Sequence, residues 1–106
     1  TWTSVLQLVR KEEFENVFLI VNNWVKENLK LTRNNLHFVV INPAEKVQII
    51  RDKIIKELEG NIKDFEVAVN IDSGSGKEHT AIITALMRLG LAMRFVIVEG
   101  EEIVEV

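Results

Sequence analysis

The residues best suited to chemistry lie in one run, Asp72-Ser73-Gly74-Ser75-Gly76-Lys77-Glu78-His79, which follows the apolar stretch Val67 to Ile71. A β-rich segment ends there in a turn of small residues, and Lys77 and His79 open a long helical segment. Such a junction gathers unpaired backbone N–H groups and the positive end of a helix dipole, the chemistry that holds a phosphate or another anion. Lys77 would supply counter-charge and His79, in the first helical turn, a ring donor. The competing reading is a plain strand-to-helix turn that uses glycine for its backbone angles and carries Lys77 on the surface.

Two nucleotide-loop patterns fail here. In G-x-x-x-x-G-K-[ST] the first glycine position, counted back from Gly76, holds Ile71, and Glu78 stands where a hydroxyl would hold magnesium. In G-x-G-x-x-G the third glycine position holds His79. His37 and His79 are the only histidines, with no ligand-spaced partner for either, so no metal site and no cofactor is expected. Asp72 caps the turn or ends the strand in solvent. No Ser-His-Asp arrangement follows from spacing, and there is no cysteine to act as nucleophile.

The rest of the chain must position this turn. Leu36 to Ile41 reads as a strand, and Asn42-Pro43 as the start of a helix over Ala44 to Glu59, in which Val47, Ile50, Ile54 and Leu58 form one apolar stripe. Gly60 stops it. Phe65 to Ile71 is the next strand, Lys77 to Leu91 the next helix and Arg94 to Val98 a further strand. The turn Glu99-Gly100-Glu101 leads to a last strand, Ile103 to Val106. Apolar residues wrap most of the second helix, so its outer face must meet another helix or a second subunit.

The first 35 residues admit two readings. Phe14, Val17, Phe18, Val21, Trp24 and Val25 fit a helical stripe within Lys11 to Lys30, after a strand over Trp2 to Val9. Alternatively Val17 to Val21, five consecutive apolar residues of which three are β-branched, is a buried strand. Helices over Ser4 to Phe14 and Trp24 to Arg33 then flank it, with Ser4-x-x-Gln7 as a capping box. The second reading is preferred. It leaves the expected α/β sheet without a first strand, as in a fragment of a domain.

Alternating strands and helices at this spacing imply parallel crossovers. The expected fold class is therefore α/β, a three-layer open, mainly parallel, Rossmann-like sheet with helices on both faces and a short C-terminal hairpin strand, in a single domain over 1–106. In such sheets ligands bind outside the carboxyl ends of the strands. That rule collects Thr3, Ser4, Asn22, Asn23 and Asn42 with the turn Asp72, Ser73, Gly74, Ser75, Gly76, Lys77 and His79.

Composition narrows the classes. Of the 106 residues 47% are apolar and 27% charged, with a net charge of −3. That is an ordinary globule, without the basic field that coats duplex DNA. No run nears the roughly 18 apolar residues of a membrane span, and the expected setting is cytoplasmic. Glu99, Glu101, Glu102 and Glu105 read as a solvated hairpin or guarded edge.

The strand ending in Asn70-Ile71, the turn Ser73-Gly74-Ser75-Gly76-Lys77, the Ala/Leu-rich helix after it and Phe95-Val96-Ile97-Val98-Glu99-Gly100 before a short last strand resemble the CRISPR-associated Rossmann-fold (CARF) sensor domains. The helix Ala44 to Glu59 and the strand Val39-Val40-Ile41-Asn42 agree in order and length. The specific part spans about 35 residues, and it departs from the family in having Gly74-Ser75-Gly76 in place of paired glycines. The resemblance implies binding of a cyclic oligoadenylate second messenger in antiviral defence. It also implies a homodimer with the ring across the two-fold axis, phosphates at the amides of Gly74 to Lys77, Lys77 as counter-charge and Ser4 as hydroxyl donor. A ring nuclease, with Lys77 and Ser4 as its catalytic candidates, is the alternative. A structural α/β interaction domain is the third.

Overall fold

The computed structural model describes residues 2–11, 14–29 and 35–106, and for Trp2, Thr3, Ser4 and Lys11 the backbone alone. The elements are α1 (Trp2–Lys11), β1 (Val17–Val21), α2 (Asn23–Asn28), β2 (Leu36–Val40), α3 (Val47–Leu58), β3 (Glu66–Val69), α4 (Gly76–Arg88), β4 (Ala92–Glu99) and β5 (Glu102–Glu105).

The protein is α/β, as the alternation of elements implies. Its strands, however, form two sheets among the described residues rather than one. β1 and β2 pair in parallel, with Val17 opposite Leu36 and Val21 opposite Val40. β3 and β4 pair in parallel from Glu66 opposite Ala92 to Val69 opposite Phe95, and β5 adds antiparallel to β4.

Val17 to Val21 is a strand, which settles the two readings of the N-terminal region against the long helix. Leu19 and Val21 are buried on one face, and Phe18 and Ile20 on the other are partly buried against the core, so the run is packed on both sides. The expected capping box rests on the Ser4 side chain, which lies outside the described residues, and its backbone place is not that of an N-cap. α1 already starts at Trp2, so Ser4 lies inside it, and Gln7 instead donates from Nε2 to the carbonyl of Gly100 at 3.3 Å. Of the helix expected over Trp24 to Arg33, Asn23–Asn28 is helical; residues 30–34 lie outside the described set, as do 12 and 13.

The stripe on α3 is buried as its spacing requires. Ile50, Ile54 and Leu58 lie in the core with Val39, Ile41 and Val69, and with Ala81, Ala85 and Leu86 of α4. α4 packs most extensively on α3, so a neighbouring helix meets much of its apolar circumference. The small side chains Ala81 and Ala85, both fully buried, permit that close approach.

Two helix boundaries differ from expectation for local reasons. Asn42 does not start α3: its Oδ1 accepts from the Ala44 amide at 3.0 Å and its carbonyl from Glu45 at 3.0 Å, closing a turn before the helix begins at Val47. α4 ends at Arg88 in a Schellman motif, with Leu91 N–H on the Leu86 carbonyl, Gly90 N–H on that of Met87, and Gly90 at φ 73°. Arg94 of β4 then reaches across the three-stranded sheet, to Glu66 of β3 at 2.9 Å and Glu105 of β5 at 3.8 Å.

Candidate functional site

The turn after β3 is built from its own residues. Gly74 has φ 95°, a left-handed conformation that glycine adopts without strain. A Cβ there would lie 2.7 Å from Glu78 Oε2. Ser75 is the N-cap of α4: its Oγ accepts from the Glu78 amide at 3.4 Å, and Glu78 Oε2 accepts from the Ser75 amide at 3.4 Å. This reciprocal capping box is the feature that sequence reasoning missed, although Ser75-x-x-Glu78 carries its signature. It also sets a carboxylate at the positive end of the helix dipole, where an anion was expected. The Gly76 and Lys77 amides, at the first two helical positions, are left without an intrahelical acceptor.

His79 closes the turn from the other side. Its Nε2 lies 2.8 Å from the Ser73 carbonyl oxygen. A carbonyl only accepts, so Nε2 carries the proton and Nδ1 is the second polar atom of the ring. Lys77 is exposed, and its Nζ donates to the carbonyls of Pro43 and Glu45, each at 2.9 Å. An ammonium has three donors, so one remains.

These bonds give the expected site residues different places. Asn22, Ser73, Gly74 and His79 line one cleft of about 510 Å³, together with Pro43 and Glu78. Asn22 is committed in part, because its Oδ1 accepts from the Val25 amide at 2.8 Å as the N-cap of α2. Ser75, Gly76 and Lys77 stand at the head of α4 outside the cleft lining. Asp72 is exposed, and its amide is held by Asn70 Oδ1 at 3.3 Å. Thr3 and Ser4 belong to α1, and their side chains lie outside the described residues.

His37, the second histidine, sits away from this rim. It bonds Asn16 Oδ1 through Nε2 at 3.0 Å and stacks on Phe18, with ring centroids 4.9 Å apart. Among the described residues no group of His, Cys, Asp and Glu is placed to hold a metal ion, and no helix is long and apolar enough to cross a membrane.

What the rim can do is hydrogen-bond. The His79 ring and the Asn22 amide group line a cleft whose walls are largely aliphatic, and the head of α4, outside that lining, offers two amides without an intrahelical acceptor and one remaining Lys77 donor. Comparison with protein-family models, with curated proteins and with solved structures finds no match.

Proposed function

We propose that the chain is a CARF-like sensor domain, in which the two sheets are parts of one open, mainly parallel, Rossmann-like sheet, and that it binds a cyclic oligoadenylate at the carboxyl ends of the strands. The observation that carries this reading is the convergence of Asn22 after β1, Pro43 after β2 and Ser73, Gly74 and His79 after β3 on the mouth of one cleft. Ligands of open α/β sheets bind outside those strand ends. Phosphates would meet the Gly76 and Lys77 amides and the third Lys77 donor, and Asn22 and His79 would read ribose or base edges. The ring is symmetric, so a homodimer presenting the same turn twice fits it, in the cytoplasm where such a messenger would act.

Cleavage is the alternative: bonds to backbone carbonyls hold His79 through Nε2 and Lys77 through two of its donors, and His79 Nδ1 and the third Lys77 donor are the groups that could move a proton.

The test is incubation with cyclic tetra-adenylate and cyclic hexa-adenylate, followed by thermal unfolding and by chromatography of the nucleotide. The expected result is a rise in Tm with one ring and an intact ligand. Linear products would make the protein an enzyme, and no shift with either ring would sink the reading.

A further inference from the structure

Each of the two sheets has an unpaired strand edge. Among the described residues β1 has a ladder partner on one side only, β2, and β3 is likewise paired on one side only, with β4. The direction of the unpaired groups follows from the bonds that are made. In an extended strand the N–H and C=O of one residue point to the same side, and successive residues alternate. The Val17 amide bonds the Asn35 carbonyl, and the Val21 carbonyl accepts from Ile41, so Val17, Leu19 and Val21 face β2. Phe18 and Ile20 therefore present their amides and carbonyls to the other side. The Phe65 carbonyl accepts from Ala92, so Phe65, Val67 and Val69 face β4, and Glu66 and Ala68 face away.

Both free edges open on the same cleft of about 510 Å³, which every residue of β1 and of β3 lines. Leu8 and Val9 of α1 line it as well, as do Ile54 of α3 and Leu86 of α4. The edges run the same way. The residues before β1 and β3, Asn16 and Asp64, and those after them, Asn22 and Ser73, all border the cleft, and Lys77 ties the end of β2 to the segment following β3. A gap with a free parallel edge on either side and helices above and below has the shape and the unmet hydrogen bonds of one central strand.

We infer that the cleft is a strand-acceptor slot, filled by one extended apolar segment that runs parallel to β1 and β3 and leads directly into α1. The position of α1 selects this occupant. Gln7 bonds the Gly100 carbonyl beyond the carboxyl end of β4, and Lys11 lies close in sequence to the start of β1. α1 thus descends from the carboxyl ends of the strands to their amino ends. A strand entering it from the slot would form, with α1 and β1, the crossover by which parallel neighbours are joined. The aliphatic lining selects Val, Ile and Leu on both faces of that strand. The inference rests on strand edges and stands whether or not the rim binds a nucleotide.

The experiment uses the chain as its gene encodes it, with whatever residues precede Thr1. In hydrogen exchange the amides of Phe18, Ile20 and Ala68 are expected to be protected as strongly as those of Leu19 and Val67. Free exchange at those three positions overturns the inference, as does equal protection in a chain of residues 1–106 alone, which would mean that the sheets close on each other. A reading frame that starts at Thr1 overturns it as well. Ala68→Pro supplies an independent measurement, because proline is tolerated on a free edge and not inside a sheet. A fall in Tm of about 5 °C or more is expected in the natural chain, and an unchanged Tm refutes the slot.

Discussion

Lys77 Nζ donates to the carbonyl of Pro43 at 2.9 Å, across 34 residues of sequence, and a second bond of the same length reaches Glu45. One ammonium therefore fastens the head of α4 to the loop between β2 and α3, at the rim where a ligand would sit. Lys77→Met removes both bonds and the charge. Chemical denaturation is expected to show a loss of about 1 to 2 kcal/mol. Binding of a phosphate-bearing ring should weaken too. Affinity unchanged from the parent chain would take Lys77 out of the site and leave it as a clamp.

The two glycines of the turn should respond in opposite ways. Gly74→Ala forces a side chain into φ 95° and against the Glu78 carboxylate, and is expected to cost about 1 to 3 kcal/mol. Gly76 has nothing within 4 Å of an added Cβ and lies at the first helical position. Gly76→Ala should leave the fold as stable or raise it by about 0.5 kcal/mol. If Gly76 gives close backbone access to phosphate, the same variant loses ligand affinity while keeping its Tm, a separation that titration and thermal unfolding read together.

Ser75→Ala removes the cap of α4 and leaves the Glu78 amide unsatisfied. Urea unfolding should show a loss of about 1 kcal/mol. Glu78→Gln keeps the reciprocal bond to the Ser75 amide and removes the negative charge from the helix head, so inorganic phosphate should bind it more tightly than the parent chain. Equal phosphate affinity in the two proteins would mean that the carboxylate does not guard the site.

Ile54 is fully buried, belongs to the core with Leu58 and Ala85, and also lines the cleft. Ile54→Ala is expected to cost about 2 to 5 kcal/mol, measured by chemical denaturation. A value below that range would show the cleft collapsing onto the void.

The parts of this fold that are local or periodic are legible in the sequence. Val17 to Val21 reads as a strand because it is short, continuous and β-branched, and Ile50, Ile54 and Leu58 read as a buried stripe because they recur at helical spacing. The glycine turn is legible for the same reason. Its chemistry is less so, because two of its polar side chains are spent on backbone groups that sequence distance conceals: Lys77 on Pro43 and Glu45, and Asn70 Nδ2 on the Val96 carbonyl at 2.8 Å. Glu78 was within reach, since Ser75-x-x-Glu78 is a local signature, but the comparison with nucleotide loops directs attention to the residue it replaces. The break between β1 and β3 is a property of pairing, which hydrophobic pattern alone does not encode.

Arg94, flanked by Glu66 on one neighbouring strand and Glu105 on the other, acts as a gauge of alignment for the three-stranded sheet. Side chains alternate between faces, so shifting β3 by a single residue would swing Glu66 to the side where Val67 and Met93 pack against the core and bring an aliphatic chain beneath the guanidinium. The same slip of β5 would exchange Glu105 for Val104. Each exposed ion pair is worth little energy by itself. Together they penalise a one-residue slip of either strand, which carries a carboxylate to the opposite face and away from the guanidinium, so the arginine discriminates between such arrangements more than it strengthens the correct one.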